Sequence, residues 1–252
     1  GSYHLACKKY TQAGDKDKAM KALLKSGDTE KIIFFAGVSR QREIYIMAAN
    51  YLQTLDWHND AEVMKSIIQF YTKARATDSL ASFYEACAQI EIDEYRDYEK
   101  ALGALREALK YMMKARGPDK EDRVHSLNGR INLCERFVQA RKLIKTDPEE
   151  MVKICSGLLE YSPADAAEVD SAIRVGDVFA LLIEYHQTQQ QYDQAYKLIE
   201  KMNARKIILS PYLDQEMLNT IYRAVGKPIV NERMQMDDED GIDEEIDEPV
   251  DD

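Results

Sequence analysis

The stretch that decides the fold is residues 3–23, YHLACKKYTQAGDKDKAMKAL. Small and aromatic side chains recur in it at intervals of three and four residues, the spacing that places them on one helix face. The recurring positions are Tyr3, Ala6, Cys7 and Tyr10 in the first half and Ala19 and Leu23 in the second. Gly14-Asp15 supplies a turn between the halves. The stretch therefore predicts two antiparallel helices joined by a tight turn.

These spacings match the tetratricopeptide pattern, with Tyr3 in place of Trp, Ala6 in place of Leu and Cys7 in place of Gly. Such a helix pair cannot bury its apolar face alone, so it stacks on neighbouring pairs. The same packing positions recur further along the chain at Ala101, Leu105, Ala108, Phe179, Leu182, Ala195 and Ile199. The sequence predicts an all-α fold, a tetratricopeptide-like α-solenoid of stacked antiparallel helix pairs.

The composition supports helix along nearly the whole chain of 252 residues. Glycine and proline are sparse, at 11 and 6 residues, and helix-forming residues predominate. No apolar run reaches the roughly 18–20 residues that a membrane-spanning helix needs, so no direct membrane insertion is expected.

Several helix starts can be read from single acidic residues. Asp28 or Thr29, Asn59 or Asp60, and Thr77 or Asp78 each precede an apolar helical pattern and are expected as N-terminal caps. Residues 146–150, TDPEE, combine a cap candidate, an early proline and first-turn acids, which predicts another start. Residues 162–168 are expected to form a loop, followed by helices over 172–187 and 193–202.

We expect five segments in the chain. Gly1-Ser2 has the form of a cloning scar. Residues 3–90 are expected to be tetratricopeptide-like repeats, and 147–228 to be the C-terminal helical repeats. Between them, 91–146 are expected to form a long antiparallel hairpin with two helices of roughly 35 Å each, at 1.5 Å per residue. Residues 229–252 are expected to be an acidic, disordered tail. Because the first repeat begins at the start of the sequence, we expect the chain to be part of a longer solenoid.

The net charge of −11 is concentrated in the last segment. Residues 237–252 contain 11 acidic residues and no Lys or Arg, so the helical part is close to neutral. Global charge therefore favours neither nucleic acid nor an anionic membrane surface as a ligand. Ile242, Ile246 and Val250 recur among the acids, which leaves open a transient helix on a basic partner or a solubilising tail.

No motif for catalysis, cofactor binding or metal binding stands out. The chain has no GxSxG, HExxH, P-loop or GxGxxG sequence. His4 and Cys7 are one helical turn apart, but two ligands do not make a zinc site. His58 is expected to be solvated. The cysteines lie in apolar helical contexts without a CxxC motif, as expected of small buried residues in a reducing compartment. They are Cys7, Cys87, Cys134 and Cys155. No catalytic residue, cofactor or metal is expected.

The chain also resembles the C-terminal part of the intraflagellar transport protein 140 family, whose members are subunits of intraflagellar transport complex A. The resemblance is most specific in residues 6–57, which begin ACKKYTQAGDKDKAMKALLKSGD, and in 70–95 and 174–186, RVGDVFALLIEYH. It extends over roughly 3–225. It implies N-terminal β-propellers outside this sequence and a solenoid that lacks the Cys-rich zinc ribbon of related subunits.

The resemblance implies a non-catalytic scaffold in the core of complex A, with other complex A subunits as partners. It implies roles in retrograde transport and in the entry of membrane proteins into cilia, at the cilium or flagellum and basal body on the cytoplasmic side. One alternative is a receptor for cargo or an adaptor, which uses a concave peptide groove or a basic cluster. Another is an enzyme, which no motif supports.

Overall fold

The structure is a computed structural model that describes residues 1–229. Within that range the chain forms thirteen α-helices and no β-strand. This confirms the predicted all-α, tetratricopeptide-like α-solenoid class. The predicted acidic tail lies outside the described residues except for Ile229.

The chain divides into two compact units. The first unit is Gly1–Glu135, and the described part of the second unit is 136–229. Helices α1 to α7 are Ser2–Gln12, Lys16–Ser26, Thr29–Ser39, Arg42–Leu52, Ala61–Ala74, Thr77–Ile90 and Tyr98–Lys114. Helices α8 to α13 are Lys120–Leu143, Pro148–Leu158, Ala166–Ala172, Val175–Thr188, Tyr192–Ala204 and Gln215–Val225. The division falls inside α8, whereas the domain boundaries expected at 90 and 146 stay predictions.

Helices of the first unit pack mainly against their sequence neighbours, from α1 against α2 to α6 against α7. This is the nearest-neighbour packing of a repeat architecture. A continuous core runs through the unit and includes Ile32, Ile44, Ile67 and Phe83, all fully buried. Each such side chain stabilises the fold by about 1.5–3 kcal/mol relative to an exposed one. In the second unit, α11 packs against α9 and α12, and α12 against α13.

Acidic side chains begin six of the helices, as capping predicts. Asp28 accepts a hydrogen bond from the backbone N–H of Lys31, and Asp60 accepts bonds from two N–H groups at the start of α5. Asp97, Asp147 and Asp15 act in the same way on α7, α9 and α2, and Asp214 on α13. These bonds satisfy amide groups that a helix start leaves without a partner. The expected cap at Thr77 or Asp78 is wrong, because both residues already lie inside α6.

The hairpin expected over 91–146 begins differently. A π-helical turn, Glu91–Tyr95, follows α6 directly, and Arg96 then adopts a left-handed conformation with φ of 50°. These two features interrupt the first helix of the expected hairpin, so α7 starts at Tyr98. With 17 residues, α7 is about 25 Å long rather than 35 Å, at 1.5 Å per residue.

A second difference is α10, Ala166–Ala172, which begins inside the expected loop. Val169 and Ala172 are buried, and their burial stabilises a helix too short to persist alone. The next helix starts at Val175 rather than at Ala172. Ile173 is extended, and the Asp170 carboxylate accepts a 3.0 Å bond from the Val175 N–H, which separates α10 from α11.

Candidate interaction surfaces

The structure places the thirteen predicted packing residues in three groups. The buried ones are Ala19, Leu23, Ala101, Leu105, Ala108, Phe179, Leu182, Ala195 and Ile199. Ala6 and Cys7 are half-buried, and Cys7 contacts the first unit's core. Tyr3 and Tyr10 are 48% and 39% exposed. Helix α1, which carries both, has no buried residue among those described. Their role in packing between repeats stays a prediction.

Helix α3 carries the most exposed large apolar side chain of the described residues, Phe34. Phe34 is 70% exposed and Val38, one turn further on, is 57% exposed. On the other side of the helix Ile32 and Ala36 are fully buried. Side chains at i and i+4 lie on one helix face, so Phe34 and Val38 form an apolar stripe on the surface of the first unit. Contiguous exposed apolar surface is typical of protein–protein contacts.

A polar contact ties α1 to the start of α3. His4 Nε2 lies 3.0 Å from Asp28 Oδ2, while Asp28 Oδ1 accepts the Lys31 N–H at 3.3 Å. The hydrogen bond to His4 is the main cause that lowers the pKa of the Asp28 carboxyl below its usual value, and the Lys31 N–H adds to it. The contact therefore links α1 to the N-terminal cap of α3.

Half-buried polar contacts from α8 hold α6 in place. Arg123 donates to Ser82 Oγ at 2.9 Å and to Glu85 at 3.2 Å, and Arg130 donates to Gln89 at 2.9 Å. The paired residues are 38 to 41 positions apart in the sequence. They therefore meet only in the folded chain, and no local pattern predicts the pairing.

His58 differs from the solvated residue that the sequence predicted. Its ring stacks on Tyr95 at 5.4 Å between centroids and lies 3.6 Å from Glu91. Trp57, in the short 3-10 helix Trp57–Asn59, is buried beside it and packs on Phe83 at 4.8 Å. The π-helical turn brings Glu91 and Tyr95 to this place, which the period of an α-helix does not predict.

Burial makes two of the thiol groups less acidic. Burial raises the pKa of the Cys87 thiol and of the Cys155 thiol to about 12. A thiol with so high a pKa is almost entirely protonated at neutral pH and is a poor nucleophile. The described residues contain no group of three or more His, Cys, Asp or Glu side chains suited to a metal ion. None of the described helices is long and apolar enough to span a membrane.

The second unit contains a groove with a volume of about 980 Å³. Its walls come from the segment between α9 and α10, from α10, from the first turn of α11 and from the segment between α12 and α13. The lining side chains are Tyr161, Pro163, Ala166, Ala167, Asp170, Val175, Ala204, Arg205, Lys206, Ile207, Ile208, Pro211 and Tyr212, together with Gly176. Most of this lining is apolar.

The absence of a side chain at Gly176 shapes the groove wall. A Cβ atom at position 176 would lie 2.3–2.5 Å from three carbons of the Tyr212 ring, closer than carbon atoms can approach. Only glycine lets the ring lie against the first turn of α11. This contact connects two segments that are distant in the sequence.

Two cations and one carboxylate line the groove. The Arg205 guanidinium lies over the rings of Tyr161 and Phe179, 5.3 and 5.2 Å from their centroids. It also donates to Tyr161 Oη at 3.1 Å and to the Leu159 carbonyl at 3.2 Å. Lys206 is exposed next to it. Asp170 is already bonded to Arg174 at 3.2 Å and to the Val175 N–H, so the groove keeps a net positive charge.

The sequence leaves a concave peptide groove open as an alternative, but it indicates neither the place of this groove nor its lining residues. Arg205 and Lys206 follow the last turn of α12, where basic residues normally interact with the helix dipole. Tyr161 and Tyr212 lie in segments without helical periodicity. A signal was present in Pro163 and Pro211, which mark irregular chain on both sides of the groove, but nothing in the sequence brings these segments together.

Antiparallel helix pairs stacked on their neighbours place the chain in the class of tetratricopeptide-type domains. Two family models match the chain. The TPR domain of intraflagellar transport proteins 140 and 172 matches residues 1–70, and the C-terminal TPR domain of intraflagellar transport protein 140 matches residues 78–203. The chain belongs to the family of this C-terminal TPR domain. It is a protein-interaction scaffold of the intraflagellar transport type, and this family is associated with the cilium.

Proposed function

We propose that the chain is the C-terminal solenoid of a core subunit of intraflagellar transport complex A. In this role it joins other subunits of the complex without catalysing a reaction. Assembly through it supports retrograde ciliary transport and the entry of membrane proteins into cilia. It acts at the cilium or flagellum and the basal body, on the cytoplasmic side.

The observation that carries the proposal is the apolar stripe of Phe34 and Val38 on a helix whose other face is buried in the core. The core fixes α3, so the stripe is a rigid surface and binding costs little conformational entropy. Aromatic side chains are enriched among the residues that dominate protein–protein binding energy. The match to the family models over residues 1–70 includes this stripe.

The domain organisation belongs to the same proposal. Repeats over 3–90 and 147–228 present surfaces to partners, and the hairpin over 91–146 separates them along the sequence. The nine buried packing residues maintain the stacked helix pairs, whereas Tyr3 and Tyr10 add exposed aromatic surface on α1.

The test is purification of the tagged chain from ciliated cells, with complex A subunits measured by mass spectrometry. The double variant Phe34→Asp, Val38→Asp places two carboxylates in the stripe and is expected to reduce recovery of these subunits roughly tenfold or more, the effect of losing a central anchor. Met113→Asp is the matched control, since Met113 is 56% exposed on α7.

Both variants must first show the helical circular dichroism and the Trp57 emission of the unmodified chain. Undiminished recovery with the folded double variant would refute the role of the stripe. If the unmodified chain recovers no complex A subunit, the proposed assembly role fails as a whole.

A further inference from the structure

We propose that the groove of the second unit binds a peptide segment of another protein, in which a carboxylate lies next to an aliphatic or aromatic side chain. This is a separate site from the stripe on α3, in the other unit, and it implies a second kind of partner. Its test does not depend on recovery of complex A subunits.

The charge of the groove selects a carboxylate. Arg205 and Lys206 contribute two positive charges, and the Asp170 carboxylate is bonded to Arg174 and the Val175 N–H. Among the described residues no carboxylate lies within ion-pair distance of Arg205 or Lys206. A carboxylate supplied by a ligand would complete this arrangement, because opposite charges across an interface favour binding and suppress wrong partners.

Arg205 is held ready for such a ligand. Two aromatic rings and two hydrogen-bond acceptors fix its guanidinium before any ligand arrives. An arginine that is already ordered loses less side-chain entropy on binding than a free one. A planar guanidinium also suits the two oxygens of a carboxylate.

The apolar lining selects a side chain and disfavours a small anion. Ile208 is 53% exposed, and it lines the groove together with Tyr212 and Pro211. A free phosphate would leave this surface in contact with water, whereas a Leu, Ile or Phe side chain would cover it. The volume is that of sites that bury small ligands, roughly 300–1,000 Å³. A short peptide fits both the charge and the lining.

The experiment uses the whole chain and a phage-displayed library of random dodecapeptides. Selection on the unmodified chain, with counter-selection on the variant Lys206→Glu, Ile208→Asp, is expected to enrich peptides that pair Asp or Glu with an adjacent Leu, Ile or Phe. One enriched peptide is then synthesised, labelled with fluorescein and titrated by anisotropy. Its affinity is expected to fall as NaCl rises, since salt screens the charges.

Matched variants locate the site. Lys206→Glu is expected to weaken peptide binding roughly fivefold, because it reverses a charge at the rim. Ile208→Asp is expected to weaken it roughly tenfold, because it replaces an apolar contact by a carboxylate. Lys197→Glu carries the same charge change at an exposed position of α12, eight residues before Arg205 and outside the groove lining, and it is expected to change affinity less than about twofold. Thermal melts confirm that each variant is folded.

Four outcomes would overturn the proposal. The first is that no peptide is enriched. The second is that the enriched peptides lack acidic residues, or bind the groove variants as well as the unmodified chain. The third is displacement of the peptide by millimolar inorganic phosphate, which would make the groove a simple anion site. The fourth is binding only after residues 230–252 are removed, which would assign the groove to the chain's own acidic segment.

Discussion

The two units present different surfaces on the same kind of helix pair. In the first unit, Phe34 and Val38 lie on the exposed face of a regular helix whose other face is buried in the core. In the second unit, the groove is built from irregular segments, and its cations are Arg205 and Lys206. A regular helix surface suits a folded partner, and a groove between irregular segments suits an extended one.

The difference shows where a helical repeat gains specificity. Packing residues such as Ala19 and Ala195 are buried equally in both units, so the repeat pattern alone does not distinguish them. The groove of the second unit comes from what lies between its helices, the segments around α10 and before α13, whereas the stripe of the first unit lies on a helix itself.

The largest expected effect tests whether the units are separate. Ala19→Asp and Ala195→Asp each place a carboxylate at a fully buried position, and each is expected to lower the free energy of unfolding by about 4 kcal/mol. Trp57 is the only tryptophan and lies in the first unit. In urea unfolding followed by Trp57 fluorescence, Ala19→Asp is expected to shift the transition strongly and Ala195→Asp much less.

Ala61→Asp is the control, because Ala61 is exposed in the first turn of α5, where an acid is favourable. Equal shifts of the Trp57 transition by the two buried variants would show that the units unfold together. The two units would then differ in their surfaces but not in their unfolding.

Gly176→Ala tests the wall of the groove. The new Cβ would displace the Tyr212 ring, and we expect a loss of stability of about 2 kcal/mol, as for other overpacked sites. Gly103→Ala in α7 meets no atom within 4 Å and is expected to stabilise the chain by about 0.5–1 kcal/mol. Chemical denaturation measures both. If Gly176→Ala leaves the free energy of unfolding unchanged, the Tyr212 ring does not pack against α11.

Helix caps provide a smaller contrast between the units. Asp60 accepts two backbone N–H bonds, from Glu62 and Val63, whereas Asp214 accepts one, from Met217. Replacement of Asp60 by Ala is expected to cost about 1 kcal/mol, within the usual range for caps. Asp214→Ala is expected to cost less than Asp60→Ala, in urea titrations of the two variants. The reverse order would show that the number of bonds does not set the cost.

The smallest expected effect concerns the contact between His4 and Asp28. The pKa of Asp28 is lowered in the folded chain, chiefly by the hydrogen bond to His4. A lowered carboxyl pKa contributes stability above the unfolded-state pKa, and this contribution disappears as the pH falls through the folded-state pKa. His4→Ala is therefore expected to raise the Asp28 pKa and to flatten the loss of stability on acidification.

NMR measures the Asp28 pKa directly from the chemical shift of the carboxyl group. The titration runs from about pH 5 to about pH 2, the range in which a carboxyl group with a lowered pKa titrates. Leu5→Ala, on the same helix, leaves the hydrogen bond intact and serves as the control. If the Asp28 pKa is the same in His4→Ala, the His4 imidazole does not lower it.

Local features of the fold were predictable, because they depend on neighbouring residues. The sequence places one cap at Asp28 or Thr29 and another at Asn59 or Asp60, since short polar side chains before an apolar helical pattern are typical caps. The structure selects the aspartate of each pair. The helix pair over residues 3–23 was predictable from its spacing. The sequence does not predict the π-helical turn at Glu91–Tyr95, because these residues also suit an α-helix.

The groove could not be predicted, since it depends on residues that the chain brings together only on folding. Helix α10 is short and was read as loop, because Pro163 and Asp165 are typical of loops. The sequence around Gly176 and the sequence around Tyr212 contain no pattern that predicts their close contact. The exposure of Phe34 was equally hidden, since an apolar run such as IIFFAG reads as fully buried.

The backbone at Lys206 has a consequence for how this domain can evolve. Its φ is 58°, a left-handed conformation that costs a residue with a side chain roughly 1 kcal/mol or more. A glycine there would relieve the strain and lose the cation. Selection for a more stable fold and selection for peptide binding therefore favour different residues at position 206. Homologues that no longer bind the peptide are therefore expected to have glycine at position 206. Homologues that still bind it are expected to have a basic residue there.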